Sequence, residues 1–218
     1  MKSILSFLND LKNHNSREWF ELNKSHYQKA KQDFILLTQQ VIEECAKFDP
    51  LLIDTDAAKS IFRINRDVRF SKDKSPYKTN FGASINPGGK KSMIPGYYIH
   101  IEPGKSILAA GCYMPESTFL SSIRQEIDYN FEEFSAIVNN QDFRADFVKL
   151  SEEDALKKTP KGFEKDNPAS EFLKLKHFIA VKDLTDDQLI KPNFYKEVSK
   201  TFYTAIELNK FLRRAKEV

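Results

Sequence analysis

The sequence predicts an α+β fold: an antiparallel sheet of about four to five strands, with helical N-terminal and C-terminal segments packed on it. Three observations lead there. Residues 3–48 and 116–215 set apolar side chains three and four apart, the spacing of one helix face. Residues 59–114 change to a period of two, the spacing of a half-buried strand. Turn signals, Asn86-Pro87-Gly88-Gly89 and Pro103-Gly104, divide that middle zone into hairpins.

At 218 residues the chain can bury a sizeable core, and we read residues 1–218 as a single domain. In the first zone, Asn15 or Ser16 can cap a helix, with Glu18 or Glu21 reaching back as in a capping box. Tyr27, Ala30, Phe34, Leu37, Val41, Cys45 and Phe48 then fall on one helix face. Asp49-Pro50 ends it, because the residue before a proline is driven out of the helical region. In the second zone strands are expected at 60–66, 81–86, 96–102 and 106–114. Pro76 keeps 71–78 out of a regular strand, so this segment is expected to be an ordered loop. In the third zone Pro115-Glu116 opens a helix with Phe119, Ile123, Ile127 and Phe131 on one face. A short helix at 150–158, a loop at 158–168, a further strand at 177–181 and a helix capped by Thr185 follow. Phe194, Val198, Phe202, Ala205, Leu208 and Leu212 make one last amphipathic helix.

Charge is concentrated. Residues 63–83 read RINRDVRFSKDKSPYKTNFGA, with six basic residues and two acids, while the whole chain carries only +3. That concentration marks an anion site rather than the broad basic coat of a nucleic-acid binder. Arg63, Arg66, Arg69, Lys72 and Lys78 come from the expected strand and loop, and Ser75 and Tyr77 add neutral donors. Guanidinium forks and ammonium groups converging in this way suit phosphate or carboxylate. Arg124 lies among the apolar positions of a helix, and a buried arginine needs an acid or a ligand. Asp67 and Asp73 either hold the arginines or act as acid or base. His100 and Glu102, two apart on one strand face and beside Tyr98, suit acid–base work, a metal or a structural hydrogen bond. A metal needs more ligands than this pair, and the other histidines (His14, His26, His177) are scattered, so none is expected. The candidate catalytic residues are therefore Asp67, His100 and Glu102.

Familiar phosphate loops are missing. Gly104-Lys105-Ser106 resembles the end of one, but Ile99 stands where glycine is required. No nucleophile-elbow, zinc-protease or paired CxxC motif occurs, and no motif names a cofactor. Cys45 and Cys112 sit among apolar neighbours and read as inert core thiols of a cytoplasmic protein. No stretch is long enough to span a membrane. The expected partner is a small phosphorylated or carboxylated anion. A nucleic-acid module, with Lys72, Lys74, Lys90, Lys91, Lys158 and Lys161 on one face, is an alternative; docking of an acidic protein is another.

Several strings together resemble the family catalogued as domain of unknown function 2461. They are Arg63-x-x-Arg66-Asp67-x-Arg69-Phe70-Ser71-x-Asp73-Lys74-Ser75-Pro76-Tyr77-Lys78-Thr79, Ser16-Arg17-Glu18-Trp19-Phe20 with Asn23-Lys24, Gly96-Tyr97-Tyr98 with His100-Ile101-Glu102-Pro103-Gly104, and Pro160-Lys161-Gly162-Phe163. Asp166-Asn167-Pro168 departs from that family's Asp-His-Pro. The resemblance implies a single cytoplasmic domain and adds no reaction.

Overall fold

The computed structural model describes residues 1–216; the last two residues of the expected 1–218 domain lie outside the described residues. Helices α1 (Lys2–Asn13), α2 (Arg17–Leu22), α3 (Lys24–Cys45) and the single turn α4 (Ala57–Ser60) come first. Strands β1 (Phe81–Ile85), β2 (Gly96–Ile101) and β3 (Ser106–Cys112) follow. Then come α5 (Ser117–Tyr129), α6 (Phe131–Val138), α7 (Gln141–Phe147), α8 (Ser170–Leu173), β4 (Phe178–Leu184), α9 (Asp186–Leu189), α10 (Phe194–Thr204) and α11 (Ile206–Arg214). The expected α+β class holds, with four antiparallel strands in the order β1-β2-β3-β4.

The caps explain the helix starts. Ser16 Oγ accepts from the Trp19 amide at 3.2 Å, so Ser16 rather than Asn15 caps α2. Thr185 and Gln188 close a reciprocal capping box on α9. Asn15 does something else: its amide donates to the Tyr77 carbonyl at 3.0 Å and its oxygen accepts from the Tyr77 amide at 3.2 Å. That side chain imitates a strand partner and ties the N-terminal helices to the basic loop. Tyr77 in turn stacks on Phe20, ring centroids 4.0 Å apart.

Register sorts the sheet into two faces. Ala83 faces Ile99, Ile99 faces Leu108 and Leu108 faces Lys182 across the four strands. With them Phe81, Ile85, Tyr97, Ile101, Ala110, Cys112, Phe178 and Ala180 point into the core. Residues of α1, α3, α10 and α11 complete that cluster, Phe34 and Phe202 among its largest members. A bidentate ion pair lies inside it: Arg213 of α11 meets Asp49 at 2.9 and 2.8 Å, and Tyr97 Oη donates to the same carboxylate at 3.0 Å. Arg213 also donates to the Pro95 carbonyl, and Asn209 to the Gly96 carbonyl. The C-terminal helix thus anchors the start of β2, with every charge in the pair met.

Several expected elements differ. Residues 60–66 are not a strand: Ile61 bridges Ala83, but Asn65 bridges Tyr77 instead of continuing along β1. The partner changes within the segment. The Phe62 amide bonds Gly82, whereas the Lys78 amide bonds Ile64 and the Arg66 amide bonds Pro76, so the chain leaves the sheet edge to pair with its own loop. The expected 177–181 strand is real and longer, and serves as β4. No helix forms at 150–158, because Leu150 bridges Ala180 and the Ser151 amide bonds Ile179, which commits this backbone to the edge of β4. The single expected C-terminal helix is two, separated at Ala205, whose φ of −100° and ψ of 3° leave the helical range.

Candidate functional site

Among the described residues, no helix contributes to the cavity lining on the second face of the sheet. Tyr98 and His100 of β2 point to it, as do Gly82 and Ser84 of β1, Ile107, Ala109 and Gly111 of β3, and Ile179 and Val181 of β4. This face floors a cavity of about 720 Å³. Ala109 and Gly111 are what keep it deep, since larger residues there would fill it. Gly111 has no substitute: at φ +120° an added Cβ would stand 2.0 Å from the Phe178 carbonyl oxygen. Phe62, Met93, Ile94 and Tyr113 contribute walls, and Lys78, Lys90, Lys91, Ser151 and Glu153 supply polar groups.

A polar row starts at Tyr98 in the cavity and runs away from it along β2. Tyr98 Oη lies 3.1 Å from His100 Nδ1, and His100 Nε2 lies 3.2 Å from Glu102 Oε2. The other Glu102 oxygen accepts from the Thr79 hydroxyl at 3.0 Å. A carboxylate only accepts, so His100 Nε2 carries the proton, and in the neutral ring Nδ1 is the acceptor for the Tyr98 hydroxyl. Tyr98 takes its place because residue 82 is glycine: a Cβ there would stand 2.6 Å from the phenol oxygen. Burial pushes the Tyr98 phenol up to about 12.

The basic stretch divides into two groups. Arg66 pairs with Asp73 and reaches Ser71 Oγ at 3.3 Å. Arg69 pairs with Asp67 through Nε at 2.9 Å and a terminal nitrogen at 2.6 Å. Ser75 donates to Asp73 at 2.7 Å rather than to open space. The Arg69 side chain beside Asp67 holds that carboxyl below its usual range, and Ser75 with Arg66 does the same for Asp73. Asp67 is therefore placed to hold an arginine on an exposed loop, outside the cavity lining. Tyr77 is buried against Phe20.

Lys78, at the base of the same loop, does line the cavity. Its ammonium lies 5.6 Å from the Phe62 ring centroid, and that of Lys90 lies 5.9 Å from the same ring. Lys90 also donates to the Ile61 carbonyl at 2.7 Å. Burial, and then the charge of Arg63, lower the Lys78 pKa. Among the described residues, Arg63, Lys72, Lys78 and Lys90 form no salt bridge.

Arg124 sits elsewhere. Its terminal nitrogen donates to the Leu175 carbonyl at 3.0 Å, and burial lowers its pKa. Near the departure from the family pattern, Asn167 donates to Asp128 of α5 and accepts from the Ala169 amide, so it shapes a loop. Both cysteines are buried and their thiols are pushed up to about 12. Among the described residues no cluster of three His, Cys, Asp or Glu side chains could hold a metal. Among them no helix is long and apolar enough to cross a membrane.

The structure thus joins His100 and Glu102 to Tyr98 and Thr79, puts Lys78 by the same cavity, and leaves Arg66, Arg69, Asp67, Lys72 and Ser75 on the exposed loop. Phe62 and Gly82 were not among the site residues the sequence suggested, and Lys90 entered only through the nucleic-acid alternative. A glycine inside an alternating strand was the one available signal, since it marks a close approach.

The family model described as "Conserved hypothetical protein (DUF2461)" matches residues 3–211. The chain belongs to that family. No curated protein matches it, and no solved structure does.

Proposed function

We propose that this family member binds a small organic anion, a carboxylate or phosphate ester, in the cavity on the open face of its sheet. The apolar body of the ligand lies over Ala109, Ile179 and Val181, and its charge meets Lys78 and Lys90. One observation carries this reading: two lysines rest against one aromatic ring at the cavity, and neither has a carboxylate partner among the described residues. Lys78 is already partly withdrawn from water and has the positive charge of Arg63 for company. An anion relieves both penalties at once. The loop arginines support it less, because Arg66 and Arg69 are held by Asp73 and Asp67.

Thermal-shift measurements with phenyl phosphate and benzoate, against uncharged benzamide, test this. The two anions should raise the melting temperature by mass action and benzamide should not. Lys78→Ala should weaken anion binding about tenfold, the worth of one charge-assisted hydrogen bond. Equal shifts from benzamide, or shifts undiminished in Lys78→Ala, would overturn the proposal.

A further inference from the structure

The row Tyr98–His100–Glu102 ends in the cavity at one side and in a carboxylate at the other. We infer that it is a proton relay in which Tyr98 is the catalytic residue, acting as general base toward an O–H or N–H group of the bound organic anion. This rests on the anion-binding reading for the identity of the ligand, though not for the relay itself.

The direction follows from the donors. Glu102 can only accept, so it accepts a hydrogen bond from His100 Nε2–H, and His100 Nδ1 accepts one from the Tyr98 hydroxyl. Tyr98 is left with oxygen lone pairs free to accept from a ligand. When the ligand O–H bond breaks, its proton goes to Tyr98 Oη, and the phenolic proton passes to His100 Nδ1. The products are a ligand oxyanion beside Lys78 and an imidazolium beside Glu102. Protons balance, and no oxidant or second reactant is needed. Tyr98 exchanges one proton for another and never becomes phenolate, which suits a phenol whose ionisation burial opposes. Thr79, donating to the second Glu102 oxygen, keeps the carboxylate aligned. Gly82 is a positioning residue, because only its missing side chain lets the phenol oxygen lie there. The chemistry is general acid–base catalysis with the base oriented by a third group.

Aryl sulfonyl fluorides read this activation without knowledge of the substrate. Tyr98 Oη would bond to sulfur, fluoride would leave, and the phenolic proton would pass to His100. Two probes separate the two proposals: 4-(fluorosulfonyl)benzoate, which carries the anion, and benzenesulfonyl fluoride, which does not. Mass spectrometry would locate and time the label on wild type, His100→Asn, Glu102→Gln, Gly82→Ala and Lys78→Ala. Both probes should label Tyr98, and His100→Asn should slow both about 100-fold, within the range for a lost base. Glu102→Gln and Gly82→Ala should slow both by less. Lys78→Ala should slow only the benzoate. If the benzoate reacts no faster than the neutral probe while His100→Asn slows both, the relay stands and the anion reading falls. If Tyr98 stays unlabelled in wild type, or labels at an unchanged rate in His100→Asn, the relay is overturned. Nitrogen-15 shifts of the wild-type histidine ring need no variant: a proton on Nδ1 instead of Nε2 would also overturn it.

Discussion

Tyr97 and Tyr98 are neighbours on one strand and face opposite sides of the sheet. Tyr97 donates to Asp49, which is bound by Arg213, and every group in that chain ends inside the protein. Tyr98 hydrogen-bonds to His100, which hydrogen-bonds to Glu102, and that chain begins at a cavity. Both rows combine a phenol with a carboxylate, yet only one leaves lone pairs for something outside the chain. A buried polar network with both ends closed holds a fold together; one with an open end is available for chemistry.

The comparison can be broken most severely on the closed side. Asp49→Ala leaves the Arg213 guanidinium buried without its partner, and should cost about 3–5 kcal/mol in denaturant unfolding. A cost near zero would mean that water reaches the pair and that the two faces do not differ in kind. Tyr97→Phe removes one hydrogen bond to that carboxylate and should cost about 1.5–3 kcal/mol. Tyr98→Phe should cost less, about 0.5–1.5 kcal/mol, because its partner is a neutral ring at a cavity edge. A larger loss from Tyr98 than from Tyr97 would reverse the assignment of roles.

Alkaline pH sharpens the same contrast. Burial raises both phenols, Tyr98 to about 12 and Tyr97 further, with the Asp49 charge adding to the latter. A group whose folded pKa is raised stabilises the fold below its unfolded value, near 10 for tyrosine, and loses that contribution as pH rises through the folded value. Stability should therefore fall from about pH 10 upward, and Tyr98→Phe should flatten the part of the fall that ends near pH 12. An identical slope in wild type and variant, from unfolding curves at stepped pH, would count against burial of Tyr98. The smallest effect is expected on the exposed loop. Arg69→Ala breaks a solvent-screened pair with Asp67 and should leave the melting curve where it was.

Much of the frame was legible in local pattern. Alternation at 96–102 put Tyr98, His100 and Glu102 on one face, and the structure keeps them in a single hydrogen-bonded row. Ser16 and Thr185 announced two helix starts through their side-chain oxygens. Segment 60–66 misled, because a strand-like sequence does not say which backbone it pairs with, and Asn65 found Tyr77 instead of β1. The arginines follow one of the two roles the sequence offered for Asp67 and Asp73. Arg66 and Arg69 had acids within seven residues of them, and short loops close cheaply, so they paired at home.

By itself the sequence determined the class of fold, the alternation of β2 and the place of the basic excess, because periodicity and charge are local properties of a chain. Only the tertiary structure decided which face of the sheet the helices cover. Only it decided that Lys78 and Lys90 meet at Phe62, that Asp49 finds Arg213, and that Gly82 makes room for Tyr98. Those outcomes depend on groups far apart in sequence arriving at one point. Such meetings follow from packing the whole chain at once, and no window of neighbouring residues contains them.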